Sequence, residues 1–307
     1  MGGRLAPAVD DARLLRAEER RANWTSVGRV IERVVQLYGG EPTARIQGLR
    51  RIRIGELSYR KGHKYVTIVT DLDAHRIVWV VEGRKAKDLD GFFDALGPKG
   101  VAALEVAAID MSKAFQAALR ERAPHVDVVF DRFHVQKLVH DAIDELRRGL
   151  VAKATDPAQK EALKKTRRPL QRSPWRLSRN DLDKLKTLEE LNAPLYRAYL
   201  MKEALAAIFD SASPDELHKL LLDWLDWVEA EGEPPLVRAA ETIAKHFDGV
   251  VAYLEVGATN ALTEGLNRKA RVVTSRAYGF RRVKSFMSML LLCCGGIVLP
   301  WPHVMPL

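Results

Sequence analysis

Two carboxylates stand out by their surroundings. Asp110 closes the apolar run Ala103 to Ile109 and precedes an amphipathic segment that begins at Ser112. Open α/β sheets bind ligands outside the carboxyl ends of their strands. A carboxylate there suits magnesium, which takes one or two protein carboxylates, several waters and substrate phosphates. An aspartate in that place also caps the following helix well, and the two roles are compatible. Glu264 is the only acidic residue from Gly257 to Leu307, and it is followed by Arg268, Lys269, Arg271, Arg276, Arg281, Arg282 and Lys284. One carboxylate at the head of a basic stretch suits phosphodiester chemistry: the acid holds a metal and the bases hold the flanking phosphates. The plainer alternative is an intrahelical Glu264–Arg268 pair, worth a few tenths of a kcal/mol. The crowding of bases favours the functional reading, with Asn267 and Arg268 on the same helix face as Glu264. A third group, Asp131-Arg132-Phe133-His134, follows another strand end. It reads as a helix cap with a half-buried histidine, because a lone His without an i+4 partner is weak evidence for a metal.

The elements that must position these groups follow from hydrophobic period. Ile52, Ile54 and Leu57 lead to Tyr59; Arg60 to His63 reads as a turn. Tyr65 to Thr70 is a β-branched run, Asp71 to His75 a second turn, and Ile77 to Val81 a third strand. A helix over Ala86 to Leu96 comes next. Then come a strand over Ala103 to Ile109, a helix over Ser112 to Arg122, a strand over Val126 to Phe130 and a further helix. The order β-β-β-α-β-α-β-α predicts an α/β fold, an RNase H-like mixed sheet flanked by helices. From 139 to 256 no strand is evident, which predicts an all-α insertion domain before the last catalytic helix. Its first half is basic, from Lys160, Lys164 and Lys165 through Arg167, Arg168, Arg172 and Arg176 to Arg179; a solvated helix face accounts for some of these charges. The expected division is a helical segment at 1–46, a core at 47–138, the insertion at 139–256 and core helices at 257–307. Asn23 can cap a helix over Trp24 to Tyr38 with Val27, Val30, Ile31, Val34 and Val35 on one face. An ordinary amphipathic helix and the last helix of a helix-turn-helix both fit it.

Composition narrows the partners. The 307 residues carry a formal charge of +9, an excess that favours a polyanion, and nucleic acid is the commonest one. The two cysteines, Cys293 and Cys294, are adjacent, which disfavours a disulfide and excludes a cysteine-rich zinc site. The opening segment is charged and has no apolar core of a signal peptide. The most apolar stretch, Met287 to Pro300, is shorter than the roughly 20 residues that span a bilayer. A cytoplasmic, nucleoid-associated protein with no membrane partner is expected.

Six segments carry a resemblance: RIGELSYRKGHKYVTIVTDLDAHRIVWVVEGR (53–84), AIDMSKAF (108–115), VVFDRFHVQKLVHDAIDELRR (128–148), TEGLNRKAR (263–271), RAYGFRRVKSF (276–286) and LCCGGIVLPWPHVMP (292–306). In this order they resemble the transposases of a large bacterial insertion-sequence family related to the Mutator-like transposases. That family joins an N-terminal zinc ribbon and helix-turn-helix to an acidic-triad (DDE) catalytic domain with a helical insertion. The resemblance implies metal-dependent DNA strand cleavage and transfer, with Mg2+ or Mn2+ as cofactor. Element ends and target DNA would be the partners, and a homo-oligomer would assemble on DNA. It places the second triad Asp on Asp110, the Glu on Glu264, and an Asp-x-x-His signature on Asp131 and His134. It also puts DNA contacts on Arg132, Asn267, Arg268, Lys269, Arg271, Arg276 and Arg281.

The chain departs from that family twice. No cysteine precedes Cys293, so no zinc ribbon is present and the chain reads as N-terminally truncated. The family's first strand reads like Gly-Ile-Asp-Glu; here the stretch is Arg53-Ile54-Gly55-Glu56, so Gly55 occupies the place of the first catalytic Asp. Glu56 lies next door but alternates to the other face of a strand. Asp71 is the possible substitute. With the hairpin centred on Gly62, position 55 faces position 69, and Asp71 lies diagonally on the same face, roughly 7–8 Å away. A one-residue change of register would send it to the other face. A polar hairpin turn is the favoured role for Asp71 and Asp73. A DDE-type DNA transposase with impaired chemistry is therefore expected, with a catalytically inactive DNA-binding remnant as the alternative. Another RNase H-like nuclease is disfavoured by the long insertion.

Overall fold

The computed structural model describes residues 24–60, 64–211, 213–255, 260–276 and 282–300. The readings of Asn23 as a cap and of a turn centred on Gly62 lie outside them. Two compact units emerge: Met1–Val128 with Ala258–Leu307, and Val129–Gly257.

The first unit is organised by a sheet. Strands β1 (Arg51–Arg60), β2 (Lys64–Asp71) and β3 (Arg76–Glu82) form the expected meander, and β4 (Val106–Ile109) and β5 (Asp127–Phe130) follow. The spatial order is β3-β2-β1-β4-β5, with β4 parallel to β1 and the meander antiparallel. This is the mixed α/β arrangement expected from the element order. β2 lies inside the sheet and is buried on both faces from Val66 on, so its run reads as continuous rather than alternating. On one face Val66, Ile68, Ile77 and Val80 pack with Ala270 of α13 (Asn260–Arg276) and with Phe286, Leu290 and Cys294 of α14 (Val283–Cys294). On the other face Ile54, Val69 and Trp79 lie abreast, and the Trp79 ring meets Phe92 edge-on at 5.9 Å.

The connecting helices differ from the predicted bounds in instructive ways. A 3-10 turn at Ala86–Leu89 leads into α3 (Asp90–Ala102), which continues past Leu96. It passes Gly97 and Pro98 through a kink, where Gly97 adopts a positive φ of 69° that a residue with a Cβ rarely takes. The strand expected from Ala103 therefore starts only at Val106, because Ala103 still closes α3. Ser112 takes the N-cap position of α4 (Lys113–Arg122) without a side-chain capping bond.

Two short helices precede the sheet, α1 (Trp24–Tyr38) and α2 (Pro42–Arg45). The apolar stripe of α1 packs on α14. In that contact the Ser285 hydroxyl donates to Glu32 Oε1 at 2.6 Å, with both residues buried.

The second unit is helical throughout. It contains α5 (Arg132–Lys153), α6 (Pro157–Lys165), α7 (Arg167–Leu170), α8 (Arg179–Leu191), α9 (Ala193–Ser211), α10 (Pro214–Glu231), α11 (Pro234–Lys245) and α12 (Phe247–Glu255), with a 3-10 turn at Pro174–Arg176. Pro157, Pro214 and Pro234 open helices where the missing N–H has no partner to lose. Ser178 with Asp181, and Ser213 with Glu216, form reciprocal caps on α8 and α10. Trp224 is buried and donates Nε1–H to the Met201 carbonyl at 2.8 Å.

The docking of α1 is testable through its buried polar contact. Ser285→Ala leaves a buried carboxylate short of a donor, which costs about 1–3 kcal/mol. Urea unfolding should show that loss. A change under about 0.5 kcal/mol, the size expected of surface substitutions, would mean α1 does not hold this position.

Candidate functional site

The site is set by the pairing of β1. Its register puts Gly55 opposite Ile68, Ile54 opposite Val69 and Ile52 opposite Asp71. Directly paired residues share a face, so Gly55 lies on the side of Ile68, which is the side covered by α13 and α14. On the parallel side, Ile54 pairs with Ile109. Gly55 and Asp110 are the residues that follow this last pair, Asp110 just past the carboxyl end of β4. Among the described residues, a Cβ built on Gly55 would meet no atom within 4 Å, and the space beside Gly55 is open.

Asp110 is oriented by the chain itself. Its Oδ1 accepts the Ser112 N–H at 3.0 Å, one residue before α4 begins. Asp110 is half-buried.

Asp71 is not on the face of Gly55. The hairpin register is one residue away from the one centred on Gly62, with a shift between Ser58 and Arg60. That slip sends Asp71 to the face opposite Gly55. There its Oδ1 accepts the N–H groups of Asp73 and Ala74, both at 3.0 Å, and its Oδ2 lies 3.9 Å from Arg76 Nε. Asp73 pairs with Arg51 at 2.7 Å. Both carboxylates serve the β2–β3 turn.

Glu56 also lies on the far face from Gly55, where Arg84 Nη1 is 3.9 Å from its Oε1. Alternation alone would set it aside. Yet its carboxyl is pushed above the usual range, first by burial and then by the charge of Asp110, with Arg84 opposing. Glu56 therefore belongs to the electrostatics of the Asp110 edge, a link that strand period could not show.

The other expected residues are distributed as follows. Glu264 lies on α13, two turns before Arg271; its side chain and that of Asn267 are outside the described residues. Arg268, Lys269 and Arg271 are exposed on the same helix, and Arg271 lines a cleft with Glu56 to Arg60 of β1. Arg276 ends α13, with its side chain undescribed, and Arg281 lies outside the described residues. In the second unit Asp131 is buried and caps α5 through the Phe133 N–H at 2.9 Å, and His134 sits half-buried one turn on. Arg132 is held by Asp210 at 2.7 Å and by the Phe209 carbonyl at 3.2 Å. Cys293 and Cys294 are free thiols, and burial pushes Cys294 up to about 11, which leaves it inert.

A two-ion centre needs carboxylates that place both ions, roughly 4 Å apart. Asp110 offers one hard-oxygen donor and Gly55 offers none. Among the described residues no three His, Cys, Asp or Glu side chains come together to hold an ion. The described donors do not make up a two-ion centre.

Glu56 gives a pH test of this edge. Its charged form is disfavoured in the folded state, so it opposes folding above the usual carboxylate range, and that opposition disappears once both states hold the proton. Glu56→Gln should raise the melting temperature at pH 7, and the gain should shrink to nothing near pH 4. An equal or lower melting temperature at pH 7 would mean that the Arg84 pair outweighs burial.

The sequence is similar to known proteins. The family model of ISL3-type DDE transposases matches residues 52–290. The transposase for insertion sequence element IS1557 of Mycobacterium tuberculosis is 31% identical over 301 residues, covering 91% of this chain and 67% of its own. The transposase for insertion sequence element IS1001 of Bordetella parapertussis is 25% identical over 288 residues, covering 93% of this chain and 65% of its own. The chain thus spans about two thirds of the length of these relatives. Among the described residues no helix is long and apolar enough to cross a membrane. With 239 of its 307 residues inside the matched region, from Ile52 on β1 to Leu290 on α14, the chain belongs to the ISL3 family of bacterial insertion-sequence transposases.

Proposed function

We propose that this chain is the catalytic region of a DNA transposase whose strand-cleavage chemistry is impaired by Gly55. The observation that carries the reading is the space at Gly55, open among the described residues; Gly55 and Asp110 are the residues that follow the last pair of the parallel strands β1 and β4. Asp110 and Glu264 are the remaining triad carboxylates, and Mg2+ or Mn2+ is the ion that such hard-oxygen donors take. Loss of one of three ion-placing carboxylates lowers the rate by orders of magnitude. The exposed cations Arg268, Lys269 and Arg271 flank Glu264 along α13 and suit the phosphates of element ends and target DNA. Asn267, Arg276 and Arg281 extend that stretch. Arg132, in the second unit, pairs through Nη1 with Asp210 and keeps a buried Nε without a hydrogen-bond partner. A homo-oligomer on DNA, working in the cytoplasm at the nucleoid, completes the proposal.

The same glycine supports the second reading, a DNA-binding remnant without catalysis. The two are separated by Gly55→Asp, which the open space admits without a clash. In nicking and strand-transfer assays with Mg2+ or Mn2+, the Asp variant should gain at least about a hundredfold over the parent chain, as return of a charge-placing group warrants. No gain, with DNA binding intact, would sink Gly55 as the defect. Activity already present in the parent chain would refute the impairment.

The DNA path has its own test. Arg268→Ala with Lys269→Ala should weaken duplex binding and flatten its dependence on salt by nearly two in log–log slope, one for each lost phosphate contact. An unchanged slope would remove α13 from the path.

A further inference from the structure

We infer that the helical unit Val129–Gly257 carries a stacking site for an unpaired nucleotide, built on Trp175. The inference rests on the reading of this chain as a DNA-handling protein. Trp175 is 72% exposed, on the 3-10 turn Pro174–Arg176. A single exposed apolar side chain is ordinary on a protein surface. This one is distinguished by how firmly its backbone is held and by what surrounds it.

The support comes from Lys202 on α9, which is 4% exposed. Its Nζ donates to the Leu170 carbonyl at 3.0 Å and the Arg172 carbonyl at 2.9 Å, and it pairs with Glu203 at 2.5 Å. A buried ammonium is tolerated only when its donors are filled, and here two are filled by the chain leading into the Trp175 turn. Pro174 fixes its own φ at the start of that turn, and the Arg176 N–H closes it on the Ser173 carbonyl at 2.9 Å. The indole is therefore presented on ordered backbone, with little freedom left to lose on binding.

The surroundings are those of a nucleotide site. Trp175 borders a hollow of about 300 Å3 whose wall includes Phe133, Gln136, His140, Arg132 and Arg176. Phe133 is 39% exposed and supplies a second aromatic surface. The carboxylates on this wall, Glu203 and Asp210, are already paired with Lys202 and Arg132. Arg132 Nε is buried with no hydrogen-bond partner, a donor still without its acceptor. Just before the turn in sequence, Lys164, Lys165, Arg167, Arg168 and Arg172 line a second, open hollow, so a backbone of phosphates meets cations there. Aromatic faces beside a cationic groove bind single strands, because every base has a face to stack. A paired base has its faces covered by its neighbours, so the site selects a strand end, a tail or a flipped base.

The test uses the full chain and two DNAs of equal charge, a blunt duplex and a duplex with a short single-stranded tail carrying 2-aminopurine. The parent chain should quench the 2-aminopurine and favour the tailed DNA. Trp175→Ala should weaken tailed-DNA binding about tenfold and relieve the quenching, while blunt-duplex binding stays unchanged. Trp175→Phe should restore most of the loss, which a merely structural role of the indole would not explain. Equal binding of tailed DNA by parent and Trp175→Ala overturns the stacking site alone. Failure of the parent chain to bind either DNA overturns the DNA reading with it.

Discussion

The pairing of β1 with β2 decides what this protein can do. A strand alternates its side chains strictly, so a single slip in register exchanges the two faces. With Gly55 set against Ile68, position 55 of β1 faces the helices that follow the insertion, and the turn carboxylate Asp71 lies on the other face. The shift between Ser58 and Arg60 absorbs the mismatch at the hairpin end and leaves the core pairs Ile52–Asp71 and Ile54–Val69 in place. Ile52, Ile54 and Val69 are completely buried, and that burial fixes the register.

Much of this was legible in the sequence, for physical reasons that differ by element. The meander showed because Tyr65 to Thr70 is β-branched and bounded by turn residues. The helical unit showed because residues 139–256 carry no strand pattern. The candidate carboxylate Asp110 was legible because it ends an apolar run. The register of the hairpin was not, since the residues at its tip carry no pattern that distinguishes one pairing from its neighbour. For the same reason Asp71 could be misplaced by one face. The influence of Asp110 on Glu56 was equally invisible, because Coulomb interaction follows distance across strands rather than order along one.

Unit Val129–Gly257 is organised around charge in its interior as well as on its surface. Tyr199, Lys202 and Glu203 form a buried cluster in which burial and Glu203 push the tyrosine up to about 12, so it stays protonated, while burial pulls Lys202 down. Such a cluster tolerates removal of one member poorly. Lys202 was hidden in the sequence within a helix of ordinary composition. A lone lysine among Leu, Ala and Tyr looks like any snorkelling surface residue until its carbonyl partners are known.

The open space at Gly55 has an evolutionary consequence. The glycine codons GGU and GGC differ from the aspartate codons GAU and GAC by one base. Gly55 is half-buried, so a side chain returned there needs no cavity to be reopened in a packed core. Among the described residues no atom lies within 4 Å of the place its Cβ would take. On the reading proposed above, a GGU or GGC codon at position 55 would stand one base change from an aspartate.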